Sequence, residues 1–284
     1  MSTKDPTRTL TIRRQAFQDI NVRYREVKSL INESVVQNDA LAIKNVEALS
    51  PEAFRYQTDA NKVLSFDMWL NEVLQQEILT QPYPQTNTEA LMSQWLVAYV
   101  VTSYASGAIR GNNDIARVLG RDTVPQFRPL FLSLSPHIEA SQILYNKTFT
   151  DLVGVTDTMS TQISRILSEG ILSGDSPLTV AKNINNRVDK IGITRSRLIA
   201  RTEIALASNI AAVEEGKRLK EVIGQNVVYR WQTAGDELVR ATHRARNGKY
   251  YTANSVVPLL GEPNCRCGVI ATPIDQVPKG TKIR

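Results

Sequence analysis

At 284 residues and a net charge of +6, the chain is long enough for one large domain or two modest ones, each able to bury a core. The longest apolar run, Trp95 to Val101, is far short of the roughly 20 residues that span a bilayer. The start Met1-Ser2-Thr3-Lys4-Asp5-Pro6 lacks the apolar stretch of a secretory signal, so a membrane span is excluded and folding in a reducing cytoplasm is expected.

The first half reads as helix. Phe17, Ile20, Tyr24, Val27 and Ile31 recur at steps of three and four, a stripe that needs an apolar partner inside its own domain or on another chain. A second helix is expected from about Asn61 to Leu79, stopped by Gln81-Pro82-Tyr83-Pro84, because two prolines cannot continue it. Asn87-Thr88-Glu89 opens a third, carrying Leu91, Trp95, Leu96, Tyr99 and Val100. Gly107 and Gly111-Asn112-Asn113 are expected to end it, with a short separate helix over Asp114 to Leu119. Val124-Pro125 to Arg128-Pro129 reads as an extended connection. Ser135-Pro136 then starts a helix that runs to Val153 and links the halves.

From Thr156 the pattern predicts a helix over Thr158 to Gly170, a turn at Gly174-Asp175-Ser176-Pro177, a helix to Val188, and a long helix from Thr194 to Val222. Val227 to Thr233 and Cys267 to Ala271 are rich in β-branched and aromatic residues and read as strands. The last ten residues look like a basic tail. The fold class is therefore mostly α: a helical amino-terminal half and a small α+β carboxy-terminal unit, divided as residues 1–150 and 151–284.

The basic excess lies in the second half. Residues 1–150 hold 15 Lys and Arg against 15 Asp and Glu, and residues 151–284 hold 19 against 13. Such an excess is either solvated surface or a contact for phosphate. Arg240, Arg244, Arg246 and Lys249 follow one another without an acidic residue between them. They are the candidate nucleic-acid contacts, with Tyr250-Tyr251 beside them able to stack on exposed bases.

Glu203 falls on the apolar face formed by Ile199, Leu206, Ile210 and Val213, where a carboxylate costs several kcal/mol unless paired. Arg201 points elsewhere, about 200° round the helix, so Arg240 or His243 is the expected partner. Such a pair either specifies the fold or supplies a catalytic acid. Asp236, Arg240 and His243 stand at i, i+4 and i+7 and would share a face if residues 234–246 were helical, with Asp236 pairing to Arg240.

Cys265 and Cys267, one residue apart, are too close for an unstrained mutual disulfide. With His243 they offer a ligand set suited to zinc, although common fingers space their cysteines more widely; the other reading is a metal-free turn. The chain has no Walker loop, no Gly-x-Ser-x-Gly and no deaminase signature, so no enzyme is expected. The alternative is a hydrolytic or toxin-like effector with a site around Glu203, His243, Cys265 and Cys267.

Ala200-Arg201-Thr202-Glu203, Trp231-Gln232-Thr233-Ala234-Gly235-Asp236, Arg240 to His243, Gly248-Lys249 and Asn264-Cys265-Arg266-Cys267 follow in this order. Over residues 156–272 the chain resembles the phage Mu F-like family of minor head, or head-morphogenesis, proteins. The motif residues are Arg201, Thr202, Glu203, Trp231, Asp236 and His243. The resemblance implies a minor capsid protein that associates with the portal vertex inside the procapsid and touches packaged double-stranded DNA, with a role in assembly or DNA ejection. Its partners would be the portal and the major capsid or scaffold proteins. Its place would be the interior of the phage head, after assembly in the host cytoplasm. In that family the residue three before the first cysteine is often a histidine, which would supply a fourth metal ligand; here it is Glu262.

Overall fold

The computed structural model describes residues 5–41, 60–79, 95–120 and 135–284. The expected stop at Gln81 to Pro84, the start at Asn87-Thr88-Glu89 and the connection around Pro125 to Pro129 lie outside these described residues. The fold is helical, with a small antiparallel sheet near its end. Its helices are α1 (Leu10–Asn32), α2 (Ala60–Leu74), α3 (Trp95–Leu119), α4 (Ser135–Ser173), α5 (Pro177–Arg187), α6 (Thr194–Ile223), and the one-turn α7 (Ala241–Arg244) and α8 (Ala253–Val256). The strands are β1 (Val227–Gln232), β2 (Tyr250–Tyr251) and β3 (Gly268–Pro273). The chain packs as two compact units: Met1–Ala16 with Gln85–Thr148 and Leu198–Arg284, and Phe17–Pro84 with Phe149–Arg197. Each unit draws on segments from both sides of residue 150.

In the unit built from Phe17–Pro84 and Phe149–Arg197, the stripe of α1 is core. Ile20, Tyr24, Val27 and Ile31 are all fully buried, so this seam is used for internal packing and is closed to docking on another chain. The Tyr24 hydroxyl and the Ser196 hydroxyl share a 2.8 Å hydrogen bond. Gly192 makes room for that ring, because a Cβ there would stand 2.4 Å from Tyr24 Cε1. Ser176 caps α5 by accepting from the Thr179 N–H, with Pro177 in the first turn, where its missing N–H costs nothing. The turn before it is allowed by Gly174 at φ +72°. The two helices expected on either side of residue 156 are instead one, α4, of 39 residues. No proline stands between Val153 and Thr158, Gly154 costs the helix only about 1 kcal/mol against alanine, and Thr156 and Thr158 return their hydroxyls to carbonyls of the preceding turn.

In the unit built around α3 and α6, the sheet runs in the order β2-β1-β3, with β1 antiparallel to both neighbours. Val227 pairs with Pro273 and Gln232 with Gly268, and Tyr229 pairs with Tyr251. Tyr229 and Trp231 project from the inner face of β1 into a core with Ile115, Val213, Leu219, Val256, Val269 and Ala271. The Tyr229 hydroxyl donates to the Val213 carbonyl of α6 at 2.8 Å. The end of the expected basic tail lies beside β2: Ile283 makes an isolated bridge to Tyr250, and Arg284 hydrogen-bonds through its backbone to Tyr250 and Thr252.

Gly107 and Gly111 do not end α3, which continues to Leu119. A Cβ on Gly107 would lie 2.2 Å from the Ser208 carbonyl oxygen, and one on Gly111 would lie 2.9 Å from Ala212 Cα. The glycines permit backbone contact between α3 and α6, and that packing overrides their poor helix propensity. That interface also buries polar groups, Asn112 donating to Glu215, which also holds Arg218, and on another side of α3 the Tyr104 hydroxyl meets His137 Nδ1 of α4 at 2.9 Å.

Candidate metal centre and basic loop

The motif residues converge in the unit that contains the sheet. The loop Pro263-Asn264-Cys265-Arg266-Cys267 hangs from α6 by several hydrogen bonds. The Asn264 N–H donates to the Thr202 hydroxyl at 3.1 Å, Arg201 donates to the Asn264 side chain at 3.3 Å, and the Asn209 amide donates to the Cys267 carbonyl at 2.9 Å. Asn264 takes φ +60°, a left-handed conformation that asparagine tolerates better than most residues, and this turns the chain so that both cysteines face inward.

The segment from Gly235 to Arg240 is a turn rather than the start of a helix, and only Ala241–Arg244 is helical. Gly235 at φ +75° breaks the path, and Asp236 accepts from the Leu238 N–H, a local bond that competes with helix. Asp236 therefore pairs with Arg266 through two 2.7 Å bonds, not with Arg240. This fork-to-carboxylate geometry ties the 236 turn to the cysteine loop.

His243 is buried, edge-on to Trp231 at 5.7 Å between ring centroids. Its Nδ1 lies 3.4 Å from both Cys265 Sγ and Cys267 Sγ, and its Nε2 lies 2.8 Å from a Glu262 carboxylate oxygen. The three side chains thus bring one nitrogen and two sulfurs within 4.8 Å of one another, a set that could hold a metal ion. Both cysteines are reduced thiols. Cys265 is lowered to about 6, chiefly because the Cys267 thiol donates to it. Cys267 is pushed up, first by that same neighbour and then by burial.

Glu262 collects the basic loop. Arg240 and Arg246 each stand 3.3 Å from its carboxylate, Arg240 at the oxygen that also meets His243 and Arg246 at the other. Burial alone would raise its pKa, but the contacts with His243 and Arg246 outweigh that and hold it below the ordinary range. Arg246 also lies over the Trp231 ring at 5.4 Å, a cation–π contact. Arg244 is exposed and donates to the Val239 carbonyl, and Lys249 is half-buried. Tyr251 is buried in the core, so it is unavailable to stack on a base; Tyr250 is half-buried.

Glu203 is buried as expected, but its partner is Lys147 of α4 rather than Arg240 or His243. Lys147, Asn209 and Arg110 were not singled out from the sequence, and Arg266 was named only as part of the cysteine motif, with no partner assigned to it. Only Asn209 carried a signal, as a polar side chain on the inward face of α6 two turns from Arg201 and Thr202.

Among the described residues no helix is long and apolar enough to cross a membrane. No curated protein and no solved structure matches the chain. A family match exists for residues 161–270, a stretch that begins in α4, ends in β3 and contains every motif residue of the converging cluster; over that stretch the chain is similar to the family described as phage Mu protein F like protein.

Proposed function

We propose that this chain is a minor head protein of a tailed phage or prophage, incorporated during procapsid assembly, associated with the portal vertex and in contact with packaged double-stranded DNA. The observation that carries the reading is the family match across residues 161–270. In this reading residues 1–150 supply the docking function and residues 151–284 the surface that faces DNA inside the head. The seam of α1 is internal, so docking falls to other surfaces of the helical part. Mass spectrometry of gradient-purified heads tests the assignment: the chain is expected at a few copies per particle, and its absence from procapsids as well as mature heads would remove it.

The basic loop supports the DNA contact. Between residues 240 and 262 there are three arginines and one lysine against the single carboxylate of Glu262, a net of +3. Because Arg240 and Arg246 share Glu262, Arg244 and Lys249 are expected to contribute most to phosphate binding. Affinity for duplex DNA should fall steeply with salt. Changing Arg244 and Lys249 together to alanine should shrink the slope of log K against log salt by about 2, since each phosphate contact releases about 0.9 of a counterion. Salt-independent binding, or a slope untouched by that double change, would rule out this surface.

A further inference from the structure

We propose that His243 Nδ1, Cys265 Sγ and Cys267 Sγ bind a single thiophilic divalent cation, zinc, with Glu262 as the outer partner that fixes the imidazole rather than as a ligand. This goes beyond the head-protein reading and does not depend on it.

The geometry carries the argument. Zinc sits about 2.0 Å from imidazole nitrogen and about 2.3 Å from thiolate sulfur in tetrahedral sites, which places a nitrogen and a sulfur on the same ion about 3.5 Å apart. The two observed separations, both 3.4 Å from the same Nδ1, match that edge. A nucleophilic thiol–imidazole pair needs one such contact. Two sulfurs equidistant from one ring nitrogen are what a shared ion requires.

Each surrounding group fits the same assignment. The Glu262 carboxylate 2.8 Å from Nε2 favours a proton on Nε2 by charge, although the contact lies outside hydrogen-bond geometry, and a proton there leaves the Nδ1 lone pair to face the sulfurs. This is the carboxylate–histidine arrangement that orients metal ligands. The same contact gives Glu262 its outer role: the carboxylate lies at the ring nitrogen that does not face the cysteines. The Cys267 N–H approaches Cys265 Sγ at 3.4 Å, a donor placed to support a thiolate. Two thiolates and a neutral imidazole balance a dication, so the loaded centre is neutral, and loading releases two thiol protons to solvent.

The fourth position is open. A cavity of about 80 Å³ borders the cluster, lined by Val239, Arg240, His243, Asn264, Cys265 and Arg266 among others, which is room for water. The site is thus of the three-protein-ligand kind with water completing the tetrahedron. The ion would clasp the turn after β1 to the loop before β3, two segments that have little regular structure of their own.

The test uses the full-length protein, reduced and stripped with a chelator, then titrated with zinc and separately with cobalt(II). One equivalent of zinc is expected to be retained, with both thiols shielded from a disulfide reagent. Cobalt should give tetrahedral visible bands with thiolate charge-transfer absorption. Cys265→Ser and Cys267→Ser should each halve the charge-transfer intensity. Glu262→Gln should keep the cobalt spectrum while weakening affinity 10- to 100-fold, as expected for loss of an outer partner. Failure of the wild-type protein to retain zinc, or thiols that react equally with and without it, would overturn the site; this readout does not depend on any variant folding. An unchanged affinity in Glu262→Gln would overturn the outer-partner role.

Discussion

Gly107→Ala is expected to destabilise the protein by about 3 kcal/mol or more, the upper end of the cost of overpacking a core. Helix propensity alone predicts the opposite, a gain of about 1 kcal/mol for replacing glycine inside a helix. The contact decides the sign. A methyl group at Gly107 would meet the Ser208 carbonyl oxygen at 2.2 Å and Ser208 Cα at 2.6 Å. Both are backbone atoms of α6 that cannot turn aside as a side chain would, so the two helices must separate by more than about 1 Å to restore van der Waals distance. Separation would also stretch the Ser103 hydroxyl bond to the Ile204 carbonyl, now 2.6 Å, and loosen the buried Asn112–Glu215 contact. Gly154 provides the control, since it lies in α4 with nothing within 4 Å of a built Cβ among the described residues. There alanine should stabilise by about 0.5–1 kcal/mol. Chemical denaturation of both variants, read by helical circular dichroism, checks the pair. A small stabilisation of similar size at both positions would show that α3 and α6 do not touch at Gly107.

That glycine marks where sequence reading loses its grip. A glycine inside a helical pattern is a stop or a contact depending on what faces it, and the facing residues here, Ser208 and Ala212, lie about 100 positions away. The spacing of four in Gly107 and Gly111, matched by four in Ser208 and Ala212, was the available signal for a close crossing. Periodicity did identify the inward stripe of α1, because the burial of Ile20, Tyr24, Val27 and Ile31 depends only on local helix geometry. The long helix and the two main strands were legible for the same reason, whereas β2, at two residues, is too short to show any alternation. The candidate site was legible as a set of residues and not as a set of pairings. His243, Cys265 and Cys267 do meet, but Asp236 binds Arg266, Arg240 binds Glu262, and Glu203 binds Lys147. The Asp236 error came from seeking a partner by helical spacing within one segment, and the Glu203 error from looking only to the later basic segment, when the fold delivers Lys147 from α4.

Arg110→Met is the second large effect, an expected loss of about 3–5 kcal/mol, in the range for removing one member of a buried charged network. Arg110 is 4% exposed and serves α3, α6 and β3 together. Its guanidinium donates to the Val269 carbonyl at 2.7 Å, to the Ser208 carbonyl at 3.1 Å and to the Asn209 side-chain oxygen at 3.3 Å. Burial lowers its pKa to about 10 against the opposing pull of Asp114 one turn on, so it remains a cation at neutral pH. Methionine fills similar volume while removing every donor. The Val269 and Ser208 carbonyls then lose their guanidinium donor, at about 1–3 kcal/mol for a buried group left unsatisfied, and buried Asp114 loses its largest coulombic support, keeping the ion pairs to Arg8 and Arg117 at 4.0 and 3.5 Å. Asp114→Asn should cost stability in the parent protein and restore part of it in the Arg110→Met background, a coupling that a double-mutant cycle in denaturant measures. A loss below about 1 kcal/mol for the single change, with no coupling, would mean that the cation is not what fastens β3 to α3. The effect should also reach the cysteine loop: Asn209, which Arg110 contacts, accepts from the Val269 N–H and donates to the Cys267 carbonyl. Loosening Arg110 therefore frees the backbone on which Cys267 is held, and the Arg110→Met protein is expected to bind zinc more weakly although no ligand has changed.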